Sequence, residues 1–355
     1  MFKKLTVLLS ISLIVALALC GISGASTAQG THAGDSALKN IIILATGGTI
    51  AGTGTVSDYT AGVLGVQAII DSVPGLDKLA NLSSEQLFNI GSPNITANHW
   101  LILAKRINEL SASGAIDGFV VTHGTDTLEE TAYFLHLTVK TDKPVVVVGS
   151  MRPATALSAD GPMNLYQAVA LARSDEAIGR GVMVVLSDGI YSARDVTKVH
   201  TFMPDAFSGR DFGLLGHMRG NIPIFYHRNL SPHTTKTPFD VSNLTELPRV
   251  GIAYSHTDTD PVLLEFMFNN YDGLVLAGSG NGNASDRWNE KIKEMKEMTG
   301  VPLVRSSRVA HGPVDRTMED IRAGNLNPQK ARVLLQLALT ITRDEAQIAE
   351  FFATF

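Results

Sequence analysis

Short apolar runs rich in β-branched residues alternate along the chain with longer stretches in which apolar positions recur three or four residues apart. Runs of the first kind are typical of strands buried on both faces, and stretches of the second kind are typical of helices with one apolar face. The pattern predicts strands over 40–45, 87–90, 119–121, 145–148, 181–186, 250–254, 273–276 and 302–304. It predicts helices over 63–73, 96–111, 127–140, 162–173, 261–270, 286–299, 328–341 and 344–354.

The alternation of strands and helices favours right-handed β-α-β units and therefore an α/β fold. We expect a larger N-terminal domain, 39–227, built on a twisted, mostly parallel sheet flanked by helices. Residues 228–249 show little periodicity and are interpreted as a linker, which leaves 250–355 as a smaller C-terminal α/β domain with its own parallel sheet. Within the larger domain, 187–225 is expected to be rich in loops.

The first 28 residues have the layout of a secretory signal peptide. A basic start is followed by an apolar run over 5–19 and by a small-residue cleavage site that ends at Ala28. The run is too short for a membrane span, and Leu19 is a poor neighbour for a lipid-modified Cys20, so a lipid anchor is the less favoured alternative. We therefore expect a periplasmic protein that leaves the membrane when the signal is cleaved.

Composition and charge exclude several classes of protein. The formal net charge is −5, which argues against nucleic-acid binding on electrostatic grounds. The sequence holds 1 cysteine, within the predicted signal, so the mature chain must be held together by its core rather than by disulfides. The 10 histidines show neither an H-E-x-x-H motif nor paired spacing, and we expect no metal or other cofactor.

Candidate chemistry gathers at the ends of three predicted strands. Residues 118–127 pass from a buried strand into a helix start with the pattern of a capping box, and Thr125 and Asp126 lie in the turn between them. Backbone N–H groups at a helix start attract an anion, and a carboxylate holds a cation, so this corner suits a ligand with both a carboxylate and an ammonium. The loops 46–49 and 91–92 open on the same edge if the sheet is parallel, although 46–49 taken alone would be better explained as a tight turn.

These motifs resemble those of the bacterial type II L-asparaginases. The two family signatures appear as Ile43-Leu-Ala-Thr-Gly-Gly-Thr-Ile-Ala51 and Gly118-Phe-Val-Val-Thr-His-Gly-Thr-Asp-Thr-Leu128. The resemblance covers about 39–355 and implies hydrolysis of L-asparagine to L-aspartate and ammonia through a threonine-bound acyl intermediate, with weaker activity on L-glutamine allowed. Further agreement lies in 149–153, 194–198, 280–283, 305–308 and 327–332.

The resemblance also implies catalytic roles. Thr49 matches the nucleophile, and Tyr59 matches the tyrosine that a glycine-rich lid brings onto it. Thr125 matches a second catalytic threonine that is linked to Lys198 and Asp126. Because Asp126 favours the charged form of a neighbouring lysine, we expect Lys198 to be a cation that polarises Thr125, and to be neutral only if a substrate ammonium engages Asp126. His123, beside Thr125, is another candidate base, although a structural role is favoured because it begins at the strand.

Substrate contacts follow from the same resemblance. Ser92 and Asp126 match residues that hold the α-carboxylate and the α-ammonium of the substrate, and Gly124 and Thr125 belong to the same binding loop. The backbone N–H groups near Gly48 and Thr125 are expected to form an oxyanion hole. Pro93 stands where the family usually has Gln or Glu, and since proline has neither an N–H nor a polar side chain, one substrate contact is lost or rerouted.

The smaller domain is implied to complete the site of a neighbouring subunit in a homotetramer. Asn283 matches the residue that reaches across to the substrate, and an acidic residue between 312 and 320 usually helps. Asp315 and Glu319 are both candidates for that acidic residue, and the sequence does not separate them. Without the resemblance, the loop around Asn283 would be interpreted as a flexible or weakly dinucleotide-like turn.

Two competing interpretations come from other functional classes. A periplasmic amino-acid-binding protein would also be exported, α/β and free of cofactor, but a binder has no need of Thr49, Thr125 and Lys198 together. A nucleotide-dependent oxidoreductase is disfavoured because the loop after the first strand lacks the G-x-G-x-x-G pattern.

Overall fold

The computed structural model describes residues 38–315 and 320–355, so the predicted signal peptide, Cys20 and Glu319 lie outside the described residues. The strands are β1 (Asn40–Gly47), β2 (Thr53–Gly54), β3 (Tyr59–Thr60), β4 (Asn81–Ile90), β5 (Gly118–Thr122), β6 (Val145–Val148), β7 (Val182–Leu186), β8 (Gly189–Ser192), β9 (Thr197–Lys198), β10 (Phe207–Ser208), β11 (Gly216–Arg219), β12 (Ile222–Phe225), β13 (Val250–Tyr254), β14 (Gly273–Gly278), β15 (Leu303–Ser307) and β16 (Ile321–Arg322). The α-helices are α1 (Val66–Asp71), α2 (Ala97–Ala112), α3 (Leu128–Thr138), α4 (Gly161–Ala172), α5 (Val262–Asn270), α6 (Asp286–Thr299), α7 (Pro328–Ala338) and α8 (Glu345–Thr354).

The larger sheet has the strand order β12-β11-β8-β7-β6-β5-β1-β4. The pairs from β4 to β7 are parallel, whereas those that join β7, β8, β11 and β12 are antiparallel. Alternate residues of the central strands enter two separate cores, since Phe119 packs on the side of α2 and α3 and Val120 on the side of α4 and α1. Burial on both faces explains why these strands are continuous apolar runs.

The segment 187–225 is rich in loops, as expected, but it also contributes strands to the larger sheet. It holds β8, β11 and β12, which extend the sheet by antiparallel pairing. These strands have 4 residues each, and several of their residues are polar or glycine, so they lack the long apolar run that marked the central strands. The edge strand β4 likewise begins at Asn81 rather than at residue 87, and none of its residues is fully buried, so it lacks the continuous apolar run of a central strand.

The smaller sheet is fully parallel, with the order β13-β14-β15-β16. Helices α5 and α6 pack on one face, where Trp288 is buried, and α7 packs on the other. The observed architecture confirms the predicted α/β fold, with a larger, mostly parallel sheet and a smaller parallel one. The two-residue strand β16 was not predicted, and the domain limits at 227 and 250 stay a prediction.

Both sheets lie in one compact unit, Leu38–Phe355. The core on the α2 and α3 side of the larger sheet joins them, because it contains Tyr133 on α3 and also Leu334 on α7. This packing brings the start of α7 beside the loops that follow β5 and β8. Among the helices of the described residues, none has the length and apolar character required to cross a bilayer.

Candidate active site

Three loops meet at one edge of the larger sheet. Strands β4, β1 and β5 are parallel neighbours, so the chain leaves each of them on the same side. A Cβ built on Gly48 would lie 2.3 Å from the Gly124 nitrogen, and one built on Gly124 would lie 2.7 Å from Ser92 Oγ. Only glycine permits this approach, and it brings the loops that carry Thr49 and Thr125 into backbone contact.

Thr49 is paired with Tyr59. The two hydroxyl oxygens are 3.2 Å apart, and Thr49 is 6% exposed. Tyr59 lies on β3, which pairs with β2, so the expected glycine-rich lid is a short β-hairpin. The hairpin is attached to the body of the protein by Thr155, whose hydroxyl accepts a hydrogen bond of 2.8 Å from the Gly54 N–H.

A second cluster joins Thr125, Asp126 and Lys198. The Lys198 ammonium donates to Thr125 Oγ1 at 2.9 Å and to Asp126 Oδ1 at 2.6 Å. Thr125 is buried, whereas the Asp126 side chain is 57% exposed and therefore accessible to a ligand. Because Thr125 Oγ1 accepts from a cation, its own hydroxyl hydrogen becomes more acidic and stays available for another acceptor.

Ser92 ties the third loop to the start of α3. Its Oγ accepts from the Asp126 N–H at 3.2 Å, and its carbonyl accepts from Thr127 Oγ1 at 2.9 Å. The Ser92 hydroxyl hydrogen is then left to donate, which suits a carboxylate at the start of a helix. Pro93 is exposed beside it in a single 3₁₀ turn, and it has neither an N–H nor a polar side chain to offer a ligand.

His123 is sealed behind these loops. Trp100 Nε1 donates to Thr131 Oγ1 at 2.8 Å, Thr131 Oγ1 lies 2.9 Å from His123 Nε2, and His123 Nδ1 lies 2.7 Å from the Gly124 carbonyl oxygen. Burial lowers the pKa of His123 to about 4, so the ring is neutral near pH 7. With both ring nitrogens engaged away from solvent, the arrangement favours the structural interpretation of His123 over the catalytic one.

The oxyanion hole was expected to use backbone N–H groups near Gly48 and Thr125, and that role stays a prediction. The Gly48 N–H already donates to the Ile90 carbonyl at 2.9 Å. The Thr125 N–H has no hydrogen-bond partner among the residues that the structure describes. Within the described residues the N–H of Thr49, the residue after Gly48, likewise has no partner, so Thr49 and Thr125 both offer a backbone donor beside the two hydroxyls.

Sequence reasoning missed a set of polar contacts from α7. Lys330, which is 1% exposed, donates to the carbonyls of Ala193, Arg194 and Val196, directly before Lys198. The segment 327–332 was noted only for its family resemblance. No local pattern marks such contacts, since the partners are more than a hundred residues apart in the chain.

Asn283 is not brought to the edge where the three loops meet. It lies in the turn after β14, where its backbone pairs with Ser279, and it lines a surface cavity beside α6. Asp315 contacts the same turn, because its carboxylate accepts from Asn281 Nδ2 at 2.8 Å. Glu319, the other acidic candidate, lies outside the described residues.

Within 38–315 and 320–355 there is no group of three or more histidine, cysteine, aspartate or glutamate residues that could hold a metal ion. The groups that converge on the site are instead hydroxyls, a carboxylate, an ammonium and backbone N–H donors, which suit the binding and acyl transfer of a small zwitterion.

Comparison with known proteins gives matches along nearly the whole described chain. The family models "Asparaginase, N-terminal" and "Glutaminase/Asparaginase C-terminal domain" match residues 40–231 and 249–352. L-asparaginase 2 of Bacillus subtilis is 51% identical over 325 residues, which cover 89% of this chain and 86% of that protein. A Haemophilus influenzae protein named probable L-asparaginase periplasmic is 46% identical over 351 residues, which cover 96% of this chain and 99% of that protein.

The fold has a similar relative among solved structures. The crystal structure of a probable cytoplasmic L-asparaginase from Campylobacter jejuni matches with a TM-score of 0.87 at 48% sequence identity, and the match covers 89% of this chain and 100% of that one. These matches confirm the resemblance that the two signatures indicated. The chain belongs to the asparaginase family.

Proposed function

We propose that this protein hydrolyses L-asparagine to L-aspartate and ammonia, with weaker activity on L-glutamine, through an acyl intermediate on Thr49. The observation that carries the proposal is the contact between two adjacent loops, one bearing the Thr49–Tyr59 pair and the other the Thr125–Lys198–Asp126 cluster. The membership of the chain in a family of asparaginases supports the reaction, and it disfavours a purely amino-acid-binding protein.

Substrate binding uses the charged ends of the amino acid. The α-carboxylate accepts from the Ser92 hydroxyl near the start of α3, where the helix dipole also favours an anion. The α-ammonium pairs with the exposed Asp126 carboxylate. It therefore competes for that carboxylate with the Lys198 ammonium. Pro93 has neither an N–H nor a polar side chain to add a contact here.

In the first half-reaction Thr49 Oγ attacks the side-chain amide carbon, and Tyr59 accepts the Thr49 proton and relays it toward the leaving nitrogen. The carbonyl oxygen becomes an anion that the Thr125 N–H stabilises. The C–N bond then breaks, ammonia leaves with the proton, and an aspartyl ester remains on Thr49.

In the second half-reaction water attacks the ester. Thr125, polarised by the Lys198 ammonium, donates its hydroxyl proton to Thr49 Oγ as the C–O bond breaks, and it takes a proton from the attacking water in return. L-aspartate leaves, and the Thr49 hydroxyl is restored. The role of Lys198 is electrostatic, because a cation 2.9 Å from Thr125 Oγ1 lowers the energy of the alkoxide character that develops there.

The test is Thr49→Val, which removes the nucleophile and keeps the shape of the side chain. We expect ammonia release from L-asparagine to fall by at least ~10⁴-fold, because the acyl intermediate no longer forms. Calorimetry should show that the variant still binds L-aspartate. The matched control is Thr53→Val, in the same hairpin, and it should keep the parent rate. Turnover by Thr49→Val near the parent rate would refute the nucleophile.

We also propose export and assembly. Export is supported by the signal-like layout of 1–28 and by the word periplasmic in the name of the Haemophilus relative, and amino-terminal sequencing of periplasmic protein would test it. A homotetramer is supported by Asn283, which lies in the turn after β14 of the smaller sheet and would complete the site of a neighbouring copy. Light scattering that shows an active monomer would contradict the tetramer.

A further inference from the structure

Lys330 is a buried cation with no part in the chemistry described so far. Lysine is rarely fully buried unless its ammonium is paired, and Lys330 is 1% exposed. Its Nζ donates to the carbonyl oxygens of Ala193 at 3.1 Å, Arg194 at 2.7 Å and Val196 at 2.5 Å. The three hydrogens of the ammonium are thus matched by three backbone acceptors.

The three carbonyls belong to the turn that delivers Lys198. The N–H groups of Asp195 and Val196 fold back on the Ser192 carbonyl at 3.1 and 2.9 Å, so the turn is tight. The two-residue strand β9 follows at once and ends at Lys198. Any change in the backbone of this turn is therefore passed to the Lys198 side chain with little chain in between to absorb it.

The start of α7 also binds α3, the helix that follows the loop of Thr125. Asn327 Nδ2 and Gln329 Nε2 each donate to the Glu129 carboxylate at 3.0 Å. Glu129 lies in the first turn of α3, three residues after Asp126. One helical turn of the C-terminal part of the chain thus holds both segments that must meet for Lys198 to reach Thr125.

We propose that Lys330 is a positioning residue, which fixes the turn 193–196 and so sets the Lys198 ammonium against Thr125. The consequence for catalysis rests on the function proposed above. A purely structural lysine would be expected to support folding without any specific link to Lys198.

Removing the ammonium leaves three inward carbonyls without a donor. Buried carbonyls do not stay unpaired, so the turn must rearrange to find donors or water. A displacement of about 1 Å at a reacting group is enough to lower a rate by about 10²-fold. We therefore expect Lys330→Met to lower kcat by about 10²-fold, with a smaller effect on KM because Ser92 is untouched.

A double-mutant cycle tests the link. Lys198→Met, Lys330→Met and the double variant are compared by kcat for ammonia release from L-asparagine. If Lys330 acts through Lys198, the double variant is as slow as Lys198→Met within about threefold. If the two residues act independently, the two losses multiply, and that result would overturn the proposal.

The matched control is Lys140→Met. Lys140 is a second lysine that binds loop carbonyls, since its Nζ donates to Thr237 O at 2.9 Å and to Thr234 O at 3.3 Å, away from the site. The Lys140→Met variant should be less stable than the parent but keep the parent kcat. If Lys330→Met does not fold, Lys330→Arg takes its place, because it keeps the buried charge but cannot direct three donors from one atom. A folded Lys330→Arg with parent kcat would overturn the proposal.

A crystal structure of the Lys330 variant gives a readout that does not depend on turnover. We expect Lys198 Nζ to move out of hydrogen-bond range of Thr125 Oγ1, whereas an unchanged contact would overturn the proposal. Loss of the contact in a protein whose parent releases no ammonia would support the positioning role and refute the proposed function, so the two failures are distinguishable.

Discussion

Gly48→Ala probes the contact between the two threonine loops. Gly48 has φ 85° and ψ −172°, a conformation that is essentially restricted to glycine. A methyl group on it would lie 2.3 Å from the Gly124 nitrogen and 2.4 Å from its Cα, whereas ordinary contacts begin at 3.4 Å. Both neighbours are backbone atoms that cannot rotate away, so the loops must separate by about 1 Å, the difference between 3.4 and 2.4 Å.

The size of the effect follows from that displacement. The unfavourable backbone conformation costs about 1–3 kcal/mol of stability. A shift of about 1 Å between Thr49 and Thr125 is expected to lower kcat by about 10²-fold, which corresponds to about 2.7 kcal/mol in the activation free energy.

The measurements are the rate of ammonia release at saturating L-asparagine and the free energy of unfolding in urea. Gly75→Ala is the control, because Gly75 also has a positive φ of 78° but nothing within 4 Å of its built Cβ. It should lose about 1–2 kcal/mol of stability and keep the parent kcat. A folded Gly48→Ala variant with kcat within threefold of the parent would refute the reasoning.

Two further predictions concern neighbouring groups. Tyr59→Phe removes the hydroxyl 3.2 Å from Thr49 Oγ1 and should lower kcat by about 10²-fold without changing the urea midpoint; an unchanged kcat would exclude Tyr59 from proton transfer. Burial raises the pKa of Glu130 to about 7, against the opposing charge of Arg332, so the native state keeps a proton that the unfolded chain releases near pH 4.5. The free energy of unfolding should therefore fall as the pH rises from about 4.5 to about 7. Glu130→Gln should remove this fall and be more stable than the parent at pH 8 by up to ~3 kcal/mol. If the free energy of unfolding in urea depends on pH equally in the variant and the parent, the prediction is wrong.

The central strands and several helices could be read from the sequence because local chemistry determines them. The run Val145–Val148 is buried on both faces and was predicted over the same residues as β6. Helix α6 also matches its prediction, since Ser285 caps its start and Gly300 ends it in a left-handed conformation. Helix α7 ends three residues earlier than predicted, because apolar spacing continues past its last hydrogen-bonded turn.

The site was only partly readable for a physical reason. Thr125 and Asp126 share one loop, so their proximity follows from the strand-to-helix turn. Lys198 lies 73 residues from Thr125, and only the family resemblance linked them. Lys330 lies 134 residues from Val196, and neither spacing nor composition reports a contact that depends on the packing of α7 against the larger domain.

The contact between Lys330 on α7 and the turn before Lys198 also has a consequence for biosynthesis. Translation delivers the larger sheet first, and residue 330 leaves the ribosome long after the hydroxyl and ammonium groups of the site have emerged. Until then the Lys330 ammonium is not there to donate to the three carbonyls of the turn 193–196. Under the role proposed for Lys330, a nascent polypeptide that has built its main sheet would still consume amino acids about 10²-fold more slowly than the finished chain.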